Sequence, residues 1–78
     1  MDAERLVHKC RVHFSGRDYE VLVYSRPDGS HVAKTFFTPH DVIINDGLSL
    51  DEVLNKHRQL IPLAVNSRHI LAEFRRDL

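Results

Sequence analysis

Between Val42 and His57 the chain reads VIINDGLSLDEVLNKH, and its hydrophobic period changes inside that run. Before Asn45-Asp46-Gly47 stands a β-branched triplet, Val42-Ile43-Ile44. After it, Leu50, Val53, Leu54, His57, Ile61 and Ala64 fall on one stripe of a helix. Ser49 and Glu52 have capping-box spacing: the hydroxyl accepts from a free amide of the first turn while the carboxylate reaches back to the cap. Asp51 and Glu52 also set negative charge at the positive end of the helix dipole. A helix is therefore expected from residue 50, with strands upstream of it.

Upstream, residues 6–14 alternate with a period of two. Leu6, His8, Cys10, Val12 and Phe14 project to one side, expected to face the core, and Val7, Lys9, Arg11 and His13 to the other. Ser15 to Asp18 supplies a turn, and Tyr19 to Tyr24 the returning strand. Arg26-Pro27-Asp28-Gly29-Ser30 is a second turn, since Pro27 presets its own φ and Gly29 tolerates the left-handed region. The next strand, His31 to Phe37, ends before Pro39, which cannot donate to a ladder. Phe36 and Phe37 are neighbours, so a regular strand points them to opposite faces and leaves one outside the core.

Downstream, Pro62 removes a backbone donor and presses on the carbonyl of Arg58, so the helix is expected to bend or restart there. Ile70, Leu71, Phe74 and Leu78 then predict a second helix over Arg68 to Leu78, with a strand over residues 68–74 as the alternative. The order β-β-β-β-α-α is that of an α+β domain. The expectation is an antiparallel sheet of about four strands with one or two C-terminal helices packed on one face, all within a single domain, residues 1–78.

The 78 residues are 42% hydrophobic and 28% charged, the composition of a folded domain rather than a disordered one. Eleven basic residues balance eleven acidic ones, which gives polyanions no general field to follow. One cysteine cannot form an internal disulfide, and no apolar run is long enough to span a bilayer as a helix. No signal segment is read at the start of the chain, so the cytoplasm is the expected setting and no membrane association is expected.

His8, Cys10 and His13 are close in sequence but do not converge on a regular strand, because His13 projects opposite to the other two. Cys10 is read as a small core hydrophobe, with a metal- or thiol-dependent site around it as an alternative. No nucleophile elbow, phosphate loop or zinc-protease motif occurs. The expectation is therefore a non-enzymatic chain without catalytic, metal or cofactor-binding residues. Lys9, Arg11 and His13, with Arg17 flanking them, form a candidate surface for a partner or for nucleic acid. The apolar residues Leu60, Ile61, Leu63, Val65, Ile70, Leu71, Phe74 and Leu78 exceed what one short stripe needs, which favours a protein partner or self-association. The sequence thus predicts a binding or regulatory module acting through protein contacts, most simply as a homodimer, with nucleic-acid binding as the alternative.

Overall fold

The computed structural model describes residues 3–76, with side chains to residue 73. Strands β1 (Arg5–Phe14), β2 (Arg17–Ser25), β3 (His31–Thr38) and β4 (Asp41–Gly47) form one antiparallel meander in the order β1-β2-β3-β4, followed by helix α1 (Leu50–Arg76). The α+β class and the four strands are as the sequence predicts. The helical part differs, because a single 27-residue helix replaces the expected pair and runs through Pro62 without a break. Ile61, buried just before the proline, and Val65 and Arg68, half-buried after it, hold both sides of the interruption against the sheet. Tertiary packing thus offsets the missing donor. The last part of the expected second helix, residues 77 and 78, lies outside the described residues.

Local chemistry sets the turns and the helix start. Ser15 (φ 53°) and Gly16 (φ 79°) both take left-handed backbone, the two-residue hairpin conformation whose twist matches the flanking strands. At the helix start the Glu52 amide donates to Ser49 Oγ at 3.1 Å, and Glu52 Oε2 accepts from the Leu48 amide at 3.1 Å. The capping box is therefore present, its carboxylate reaching one residue further back than the cap itself. A Cβ at Gly47 would stand 3.2 Å from the Val53 backbone nitrogen, closer than an ordinary van der Waals contact, so the strand-to-helix junction is tightly packed there.

Cross-strand register assigns the faces. Cys10 pairs with Val21, Val12 with Tyr19, Val23 with Ala33, and Ala33 with Asn45, so these side chains lie on the helix side of the sheet. Val21, Val23 and Ala33 meet Val53, Leu54 and Ile61 of α1 in the core. Cys10, Val12, Phe14, Tyr19, Ile43, Leu50 and Val65 pack around them. Leu6 corrects the sequence reading: the register shifts between Leu6 and His8, Leu6 pairs with Tyr24 on the face away from α1, and it is 49% exposed. The extra residue of a bulge reverses every side chain before it, which strict alternation does not anticipate.

On the face away from α1, Val32 is fully buried although it takes no part in the core. The cover over this region is polar. Glu4 accepts from Arg26 Nε at 3.4 Å and Lys34 Nζ at 3.2 Å, and Lys34 Nζ stands 4.8 Å from the centre of the Tyr24 ring. The hydrogen bond from Lys34 is the main reason the Glu4 carboxyl is held below its ordinary range.

Candidate interaction surface

Three features of α1 determine which surfaces remain free. The first is a buried polar node. His57 is fully buried between Thr35 on β3 and Asn45 on β4, its Nε2 2.6 Å from Thr35 Oγ1 and its Nδ1 hydrogen-bonded to Asn45 Oδ1. Asn45 Nδ2 donates to the Val53 carbonyl at 3.2 Å, which orients the amide so that its oxygen faces the ring. The His57 Nδ1–H therefore donates to Asn45 Oδ1, while Nε2 lies against the Thr35 hydroxyl oxygen. Burial pushes the His57 pKa down to about 4, so the ring is neutral near pH 7.

The second feature is a clamp in the second half of the helix. Arg68 donates from Nε and Nη2 to the two Asp41 carboxylate oxygens, each at 2.6 Å, and from Nη1 to the Ala64 carbonyl at 3.0 Å. This fork-to-carboxylate geometry positions the pair more specifically than a point charge could. Its hydrogen bonds hold the Asp41 carboxyl below its usual range and the Arg68 guanidinium above its own. The guanidinium carbon also lies 4.4 Å from the centre of the Phe37 ring, which meets Tyr19 edge-on at 5.6 Å.

Beside the clamp the sheet splays open. β2 and β3 pair only over residues 22–25 and 31–34, while their remaining lengths diverge. The Thr35 hydroxyl donates to the Glu20 carbonyl across this division at 2.9 Å. A groove of about 680 Å³ results, with Tyr19, Phe37, Val65 and Ala72 among its lining and Arg17 and His69 also contributing.

The third feature is the overhang. The packed stripe of α1 is Leu50, Val53, Leu54, His57, Ile61, Val65 and Arg68, and residues 69–73 are all exposed. Leu60, Leu63, Ile70 and Leu71 are uncovered, Leu63 and Ile70 each 66% exposed. The sheet face away from α1 also leaves Phe36 52% exposed, so Phe36 is the member of the Phe36-Phe37 pair outside the core.

Lys9, Arg11 and His13 lie together on the face away from α1, as their alternation predicts. They do not form an unopposed basic row. Lys9 Nζ is 3.5 Å from Glu20 Oε2, Arg11 stands opposite Glu20 in register, and His13 Nδ1 is 2.7 Å from Asp18 Oδ1. Arg17 separates from them, since it pairs with Phe14 on the helix side and lines the groove. His8 and Cys10 share the helix side and His13 does not; among the described residues no three His, Cys, Asp or Glu side chains converge as metal ligands would. Also among the described residues, no helix is long and apolar enough to cross a membrane. The node and the clamp escape the sequence reading because His57 meets Thr35 from 22 positions away and Arg68 meets Asp41 from 27. No family model, curated protein or solved structure matches the chain.

Proposed function

We propose that the chain is a small non-enzymatic module that acts through protein–protein contacts, made by the overhanging half of α1. The observation that carries this reading is the exposure of Leu63, Ile70 and Leu71 on α1, the last two beyond Val65, the last helix residue packed against the core. A solvated helix needs no such row, and an uncovered apolar row is what a protein interface uses. The acids beside that row support the same reading over nucleic-acid binding, since Glu20 lies 3.5 Å from Lys9 and opposite Arg11 in register, and Asp18 lies beside His13. A cytoplasmic setting suits a chain whose one cysteine has no disulfide partner within it.

Photo-cross-linking in the expressing cell tests this. A benzophenone side chain replacing Leu63 or Ile70 is expected to give protein adducts, whereas the same group at exposed Asn55 gives none. Absence of adducts from Leu63 and Ile70, or equal yield from Asn55, refutes the reading.

A further inference from the structure

We infer that the division between β2 and β3 is a docking slot for an extended peptide that carries an acidic residue beside an apolar one. The slot is a different surface from the outward side chains of α1 and does not depend on them.

The main chain supplies its polar character. Strand β2 is paired with β1 from Arg17 to Ser25 and β3 with β4 as far as Thr38, yet the ladder between β2 and β3 stops at Leu22 and Lys34. In an antiparallel ladder the N–H and C=O of one residue point to one neighbour and those of the next residue to the other. The first hairpin closes on Phe14 and Arg17 around the Ser15-Gly16 turn, so Arg17, Tyr19 and Val21 direct their main-chain groups at β1. Asp18 and Glu20 therefore turn theirs toward β3. Counted from Lys34, Phe36 turns its own toward β2. A continued ladder would set Glu20 opposite Phe36, but the Glu20 carbonyl accepts the Thr35 hydroxyl instead, at 2.9 Å. That hydroxyl closes the inner end of the division, and beyond it two strand edges face each other without a shared ladder.

An open strand edge is completed by another extended chain, whose own amides and carbonyls match it. The groove is of a size to receive one, since about 680 Å³ lies within the usual range of ligand sites. Glu20 and Phe36 of the outer sheet face line it together with Tyr19 and Phe37 of the helix side, so it passes between the strands rather than over them. The Tyr19 and Phe37 rings, edge-on at 5.6 Å, and Val65 of α1 give an apolar floor for a side chain directed at the helix.

Charge sets the remaining preference. The carboxylates of the lining are already engaged: Asp18 with His13 at 2.7 Å, Glu20 with Lys9 at 3.5 Å, and Asp41 with Arg68. Arg17 lines the same groove and has no carboxylate partner among the described residues. Its guanidinium fork suits an acidic side chain of the bound peptide.

A phage-displayed library of linear peptides about ten residues long, selected on the immobilised full chain, supplies the probe. Selected peptides are expected to share an acidic residue close to an apolar one, and a labelled peptide of that set reads affinity by fluorescence anisotropy. Arg17→Glu and Ala72→Trp are each expected to weaken it by about 10-fold or more, the first by reversing the charge that meets the acid and the second by filling the groove. Both positions are exposed, so an unchanged circular dichroism spectrum separates lost binding from lost fold. Leu63→Glu should leave the affinity unaltered, because Leu63 does not line the groove, and this keeps the test apart from cross-linking at Leu63 and Ile70. Amide hydrogen exchange reads the main-chain pairing: in the free chain Asp18 and Glu20 should exchange faster than Tyr19 and Val21, and the bound peptide should slow both by about 10-fold or more. A library that yields no peptide or only peptides without an acid, an affinity indifferent to both groove variants, or Asp18 and Glu20 amides unchanged on binding overturns the inference.

Discussion

Acidification should destabilise this fold through His57, and the size of the effect follows from the node that holds the ring. Folded, the ring is held between Asn45 at Nδ1 and Thr35 at Nε2, and its pKa is lowered by burial from 6.5 to about 4. Unfolded, the same ring titrates as an ordinary histidine, so between pH 6.5 and pH 4 the unfolded chain binds a proton that the folded chain resists. Stability from this group is fully present above pH 6.5 and is lost progressively as pH falls to about 4. The gap corresponds to about 3 kcal/mol, with a slope near 1.4 kcal/mol per pH unit at mid-window, a large share of what a small domain possesses. The assay is urea unfolding at fixed temperature from pH 7.5 to pH 4, on wild type and on His57→Gln, which keeps a polar side chain but cannot titrate. The wild-type curve should fall relative to the variant by about 3 kcal/mol over that window. Glu4, Asp28, Asp41 and Glu52, all with lowered pKa values, also lose their stabilising effect in acid, but they are common to both proteins and cancel in the difference. Parallel curves would refute the assignment of a buried neutral His57.

Thr35→Val should cost about 1–3 kcal/mol by equilibrium unfolding at pH 7, because it removes the hydroxyl that donates to the Glu20 carbonyl and leaves the buried His57 Nε2 without its polar neighbour. Gly47→Ala should cost about 1 kcal/mol in the same measurement, since its Cβ would press on the Val53 amide that donates to Ser49. Pro62→Ala restores a donor for the Arg58 carbonyl within an unbroken helix, and should raise the unfolding free energy by up to about 3 kcal/mol, less the packing lost by a half-buried ring.

Features fixed by neighbouring residues are legible in the amino-acid sequence itself: the Ser15-Gly16 turn, the Ser49–Glu52 cap, the alternation in each strand and the inward stripe from Leu50 to Ile61. Each depends on contacts within a few positions. The bulge before His8 leaves no comparable signal, because a strand with one extra residue still alternates on both sides of it, and alternation therefore puts Leu6 on the wrong face. Pro62 misleads for a different reason. Its local effect is real, but a helix held by Ile61 on one side and by Val65 and Arg68 on the other need not end there. The surplus of apolar residues after Leu60 is visible as composition. Which of them faces outward is not, since Ile61 and Leu63 are indistinguishable until the sheet defines the inward direction. The row of Lys9, Arg11 and His13 is visible too, while the acids that offset it belong to the next strand and become neighbours only through register.

Polar contacts help to set the direction of α1 beside its apolar packing on the sheet. The helix is tied at its start by the cap and Asn45, one turn later by His57, and further along by the Arg68–Asp41 fork, and each of these ties reaches β4 or the residues beside it. Burying a histidine is a poor way to gain stability, because its polar atoms must be satisfied where an apolar side chain would need nothing. It is an effective way to fix orientation, since both ring nitrogens accept only one arrangement of Thr35 and Asn45 around them. Apolar packing alone is non-directional and leaves a helix on a twisted sheet freer to slide or rotate. The node and the fork oppose such a rotation. They hold the inward stripe on the sheet and keep Leu63, Ile70 and Leu71 facing solvent.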